Sequence, residues 1–134
     1  MENFCRCRSG LVYQHCCEPY HKNVLQAPTP EALMRSRYSA FSLQLIDYLV
    51  RTTHPFVRNL YNKKDIAKWA KANNWLKLEI LSAHDNRVCF KAYYQNGNQY
   101  FIHHEDSTFE QENGIWYYVK GMFPKENSAK RERG

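Results

Sequence analysis

Between Thr29 and about Thr53 the apolar positions Met34, Tyr38, Phe41, Leu45 and Tyr48 or Leu49 recur at steps of three and four residues. That spacing puts them on one face of an amphipathic helix. Thr29-Pro30-Glu31 predicts its start, with a capping threonine, a proline at the first helical position and an acid facing the positive end of the dipole. His54-Pro55 ends the pattern, and Gln26-Ala27-Pro28-Thr29 reads as the linker before it. A second helix is predicted from Asn62, carrying Ile66, Trp69 and Ala70 inward and closing at Asn73-Asn74. The period then changes to two. Leu76-Leu78-Ile80, Val88-Phe90-Ala92-Tyr94, Tyr100-Ile102-His104 and Ile115-Tyr117-Val119 each mark one face of a strand. Asp85-Asn86, Asn96-Gly97 and Asn113-Gly114 supply the turns between them. Helices followed by strands joined through short turns predict an α+β plan, an antiparallel meander wrapped on the long helix.

Composition supports a folded domain. The chain has 134 residues, 43% of them hydrophobic and 15% aromatic, enough apolar surface to build a core and too much for disorder. No apolar run approaches the ~20 residues that span a bilayer, and the polar start Met1-Glu2-Asn3-Phe4 predicts no secretory leader. The net charge is +6, and half of that excess lies in residues 120–134, which hold five basic and two acidic side chains. A basic end of this kind keeps a chain soluble, and it also attracts RNA, ribosome or anionic lipid.

Four of the five cysteines fall in one N-terminal stretch, as Cys5, Cys7, Cys16 and Cys17. Two close pairs eight residues apart converge when a tight turn returns the chain, and Ser9-Gly10 supplies residues suited to it. Four thiols then offer one tetrahedral metal site of structural type, in which binding energy is folding energy. Zinc suits four thiolates, and sulfur donors also hold iron. Arg6, Arg8, His15 and Lys22 are close enough in sequence to offset the charge of a tetrathiolate site. A disulfide framework and idle reduced thiols are the competing readings, and the absence of a leader weighs against the first.

Cys5-x-Cys7-x-Ser9-Gly10-x-x-Tyr13-x-x-Cys16-Cys17 resembles the SEC-C motif of the bacterial secretion motor SecA, whose usual form is Cys-Pro-Cys-Gly-Ser-Gly with a closing Cys-Cys or Cys-His. Arg6 stands at the usual proline and Arg8 at the usual first glycine. The stretch Ala32 to Phe41, His104-Glu105-x-Ser107-x-Phe109 and Gly114-x-Trp116-Tyr117-Tyr118 resemble the YchJ-like family of uncharacterised bacterial proteins. The resemblance spans nearly the whole chain. It implies a SEC-C metal-binding module at 1–25 and a nuclear-transport-factor-2-like cone at 29–123, and the basic end at 124–134 reads from its charge as a flexible tail. It also implies cytoplasmic residence and, because the tail has no cysteine, one metal site.

A cone of that family often encloses a cavity, so polar residues near its core are site candidates. Arg37 sits at the border of the apolar stripe and needs an anion. Glu105 is the expected partner, sharing one strand face with His103, Ser107 and Phe109 while His104 points away. Tyr38 and Ser107 complete the candidate lining. His103 and His104 also read as an ordinary sheet pair, Cys89 as a small strand hydrophobe, and Trp69, Trp75 and Trp116 as core or rim packing. Tyr93, Tyr94, Tyr100, Tyr117 and Tyr118 offer an aromatic surface able to stack bases, beside the plainer reading that they fill the core. Three functions follow: an adaptor whose metal knuckle docks a protein such as secretion machinery or ribosome, a small-molecule-binding or acid-base enzyme using Glu105 and His103, and nucleic-acid binding through the tail.

Overall fold

The long helix predicted from Thr29 is two helices in the computed structural model, which describes residues 3–124. The expected tail at 124–134 lies outside the described residues from residue 125 on. In chain order the elements are α1 (Glu18–His21), α2 (Pro30–Leu43), α3 (Ile46–Arg51), α4 (Lys63–Ala72), β1 (Asn74–His84), β2 (Arg87–Asn96), β3 (Gln99–Glu112) and β4 (Ile115–Met122). The start of α2 is as expected: Thr29 Oγ1 accepts from the Ala32 N–H at 3.1 Å, with Pro30 at the first helical position. Its end is not. Gln44 adopts φ 61°, and the Leu45 N–H turns back onto the Ala40 carbonyl at 2.8 Å. This left-handed cap breaks the stripe and swings Tyr48 and Leu49 across α2. Apolar spacing alone runs through such a break, because Leu45 lies on the same stripe on both sides of it.

The four strands form one antiparallel sheet in the order β1-β2-β3-β4. Asn113 and Gly114 both have positive φ, 53° and 81°, matching the two-residue hairpin turn that the dipeptide predicts. The β2–β3 turn uses Gly97-Asn98, one residue beyond the expected pair, because Asn96 still pairs with Gln99.

Val88, Phe90, Ala92 and Tyr94 face the core as predicted, and α2 lays Leu33, Met34 and Tyr38 over them. Three strand faces differ. On β1 Leu78 and Ile80 pack on the core as predicted, but a register shift between Trp75 and Lys77 turns Trp75 inward and leaves Leu76 40% exposed. On β3 the core face is Phe101, His103, Glu105, Ser107 and Phe109, leaving Tyr100 and Ile102 exposed. On β4, Trp116 and Tyr118 pack on the core in place of the Ile115-Tyr117-Val119 face. Strands with large apolar residues on both faces give alternation no single answer.

Asn62 caps α4 through the N–H groups of Lys64 and Asp65, and Ala70 is buried as expected. Trp69 packs edge-on against Trp75 and Tyr94, centroids 5.7 and 5.3 Å away. The stretch read as a linker is seated in the fold, since Ala27 belongs to the same core as Leu33 and Phe109.

Candidate metal centre

Residues 3–13 form a small hairpin. Phe4 bridges Val12, the Cys5 N–H bonds the Leu11 carbonyl at 2.8 Å and the Tyr13 N–H bonds Asn3 at 2.8 Å. Arg8 and Gly10, at φ 68° and 92°, turn the chain between the strands. A single 3₁₀ turn, Tyr13–His15, then delivers Cys16 and Cys17 to the head of α1.

Cys5, Cys7, Cys16 and Cys17 bring their sulfurs within 4.8 Å of one another. Cys7 and Cys16 are 3.5 Å apart, Cys16 and Cys17 3.9 Å. A disulfide needs about 2.05 Å, so these are separate thiols. A tetrahedral ion with metal–sulfur bonds of about 2.3 Å has edges of about 3.8 Å, and the sulfurs already stand near that spacing. Burial of Cys5, Cys7 and Cys17 leaves only Cys16 near water. Four protein donors fill a tetrahedral shell, so a metal here cross-links the chain and keeps no position open for a substrate.

The thiols settle their own charge. Hydrogen bonds from the Cys17 and Cys5 thiols, with lesser help from Ser9 and Cys16, push the Cys7 thiol far down despite burial. The hydrogen bonds with Cys5 and Cys7, with burial, push Cys17 far up. Burial raises Cys16 to about 11, partly opposed by Ser9, whose Oγ lies 3.1 Å from its sulfur. A divalent ion held by all four sulfurs as thiolates would release whatever protons they carry.

Sequence spacing did not single out the residues that seat this knuckle. Arg35 donates to the Cys7 carbonyl at 2.8 Å and pairs with Glu31 at 3.1 Å. His21 lies 2.8 Å from the Ser36 carbonyl through Nε2, which must carry the proton, and Nδ1 accepts from the Tyr13 hydroxyl at 2.7 Å. Burial holds His21 below the usual histidine range, hence neutral, and raises the Tyr13 phenol to about 12. Arg6 reaches Ser42 Oγ at 3.0 Å. Arg35, Ser39 and Ser42 recur at steps of four and three, a polar stripe on α2 that was the available signal. Of the expected balancing charges, Lys22 pairs with Glu18 at 3.3 Å.

The cone candidates divide. His103, Glu105 and Ser107 come together: Glu105 accepts from His103 Nε2 at 2.7 Å, Ser107 at 2.8 Å and the Tyr118 hydroxyl at 3.0 Å. Burial alone would raise the Glu105 carboxyl, but His103 foremost, with Ser107 and Tyr118, holds it below the ordinary range. The expected Arg37–Glu105 ion pair is not made directly. Arg37 donates to the Leu49 carbonyl at 2.9 Å and Thr52 Oγ1 at 2.7 Å, capping α3, and lies 4.4 Å over the Tyr118 ring. Tyr118 thus stands between cation and carboxylate. Tyr38 belongs elsewhere, edge-on to Trp75 at 6.2 Å beside the knuckle. Among the described residues, leucine, valine, methionine and phenylalanine fill the space under α2, and of the Glu105 pair His103 is the more open, its side chain 26% exposed against 11%. His104 points away as expected yet is buried, its Nε2 3.6 Å from Cys89 Sγ.

The residue range 29–121 matches the family model described as "YchJ, middle NTF2-like domain". A UPF0225 protein of Vibrio parahaemolyticus is 42% identical over 99% of this chain and 83% of its own length. The solution structure of a SEC-C motif containing protein from Rhodopseudomonas palustris superposes with TM-score 0.84 at 37% identity, covering 93% of this chain and all of that one. The crystal structure of a SEC-C motif containing protein from Psychrobacter arcticus gives TM-score 0.74 at 31% identity, over 90% and 81% of the two chains.

Three outcomes are expected. In Cys17→Ser, amide hydrogen exchange at Cys5 and Tyr13 should rise toward unfolded rates while Val88 and Phe109 stay protected; retained protection of the knuckle would contradict the site. A Cβ at Gly121 would overlap the Glu105 carboxylate, which three hydrogen bonds hold in place, so Gly121→Ala should cost about 2 kcal/mol, read by urea unfolding. The folded Glu105 carboxyl titrates below its unfolded value, so its contribution is present above about pH 4.3 and lost as pH falls through the lower folded value. Glu105→Gln should flatten that acid limb, and a parallel pH profile would contradict the assignment.

Proposed function

The chain belongs to the YchJ family of UPF0225 proteins, and from that footing we propose that its N-terminal knuckle is a zinc-stabilised docking module for a protein partner in the bacterial cytoplasm. The observation that carries this reading is the closed set of four sulfur donors, Cys5, Cys7, Cys16 and Cys17, within 4.8 Å of one another. A filled shell suits structure and leaves no catalytic opening. Four thiols of this kind persist in a reducing compartment. The outer skin of the knuckle supports the docking role, because Phe4 is 60% exposed, Leu11 53%, Val24 72% and Leu25 56%. Exposed apolar side chains in this number on so small a module mark a contact surface. Secretion machinery and the ribosome are the partner classes that the likeness to the SecA tail brings forward. Binding of nucleic acid through residues 125–134 concerns residues outside those described.

Capture with tagged protein tests this. Leu11→Ser with Leu25→Ser, which leaves all four ligands in place, should lose the partner, and so should Cys16→Ser with Cys17→Ser. An unchanged partner set in both variants would dismiss the knuckle as a docking surface.

A second reading rests on the 2.7 Å bond between His103 and Glu105. It makes the rim of the cone a small-molecule site in which the carboxylate orients an imidazole for proton transfer. Nitrobenzisoxazole reports such a base: one C–H proton goes to His103, the ring N–O bond breaks, and its electron pair ends on the phenolate oxygen. The parent should exceed free imidazole at equal concentration and His103→Gln should not; equal rates in parent and variant would end this reading.

A further inference from the structure

A cleft of about 420 Å³ separates the knuckle from the first strand, lined by Phe4, Arg6, Arg8, Tyr38, Trp75 and Leu76 among others. That volume falls in the ~300–1,000 Å³ range of small-ligand sites. Two guanidiniums face it, and no carboxylate is among the described residues that line it.

Both arginines stand where the SEC-C form has proline and glycine. Arg8 holds φ 68°, a left-handed conformation that glycine adopts freely and a long side chain does not. Strain kept at one turn position points toward use of the side chain it carries. Tyr38 and Ser42 line the same cleft as the two arginines, and Arg6 donates to Ser42 Oγ at 3.0 Å.

The opposite character is supplied by aromatic surface. Phe4 is 60% exposed, and Trp75 sits within a cluster of Tyr38, Phe41, Trp69 and Tyr94. Trp75 Nε1 is buried with no hydrogen-bond partner among the described residues, and because Trp75 lines the cleft its indole resonance reports on changes there.

We propose that this cleft binds a small aromatic oxyanion of the nucleoside monophosphate class. Arg6 and Arg8 take the oxyanion, and the flat ring lies against Phe4 and Trp75. Guanidinium forks match phosphate oxygens, and aromatic faces supply stacking area. This site adjoins the outer apolar skin assigned above to a protein partner and shares Phe4 with it, whereas Leu11 and Leu25, the positions varied there, do not line the cleft.

Adenosine monophosphate titrated into the full-length protein as purified, followed by amide and indole N–H resonances, tests the proposal. Saturable shifts are expected at the Trp75 indole and at residues 4–10. Arg8→Gly removes one guanidinium while relaxing the turn, so the knuckle remains folded. It and Arg6→Gln should each weaken binding about ten- to a hundredfold. Adenosine and inorganic phosphate, each keeping half of the contacts, should bind at least about tenfold more weakly than the nucleotide. Absence of saturable shifts, or affinity unchanged in both arginine variants, would overturn the site. Inorganic phosphate binding as tightly as the nucleotide would overturn the ligand class.

Discussion

Four thiol groups whose sulfurs lie within 4.8 Å of one another repel once they ionise, and a hairpin of this length buries too little apolar surface to hold them together alone. A shared cation converts that repulsion into a cross-link. The stretch from Phe4 to Cys17 takes its shape from this convergence: the return at Arg8 and Gly10, the single turn at Tyr13–His15 and the entry into α1 all serve to aim sulfur at one point. The position of the knuckle on the cone depends on it in turn, because the groups that reach α2 include the Arg6 guanidinium, the Cys7 carbonyl and the ring of His21.

Helix α2 serves both halves of the molecule. Leu33, Met34 and Tyr38 lie on the sheet core, whereas Arg35, Ser36 and Ser39 hold the knuckle. Arg37 performs a third task by closing the carbonyl end of α3 and covering Tyr118. A buried carboxylate with three donors is costly to assemble compared with apolar packing. Glu105 nevertheless occupies the inner face of β3, and Gly121 across the sheet leaves room for it. His103, Ser107 and Tyr118 together keep that charge satisfied.

Much of this was legible in the residues. Clustering marked Cys5, Cys7, Cys16 and Cys17 because ligand sets gather in space through local turns. Asn113-Gly114 marked a hairpin because both positions take positive φ. The joining of His103, Glu105 and Ser107 followed from strand alternation. The break at Gln44 stayed hidden, since a left-handed glutamine leaves no compositional trace. Leu76 was misplaced because a bulge inverts parity and a period-two pattern has no term for it. Arg37 and Glu105 were paired by charge, yet Tyr118 came between them, a contact between elements far apart in sequence. Arg35 and His21 went unread for a related reason: their partners are backbone carbonyls, which every residue possesses and no side-chain pattern reveals.

X-ray absorption at the metal edge, on protein purified without added metal, tests the central claim most directly. The account predicts one zinc per chain surrounded by four sulfur scatterers at about 2.3 Å. Protein free of bound metal, or an ion ligated by nitrogen and oxygen in place of that sulfur set, would contradict it.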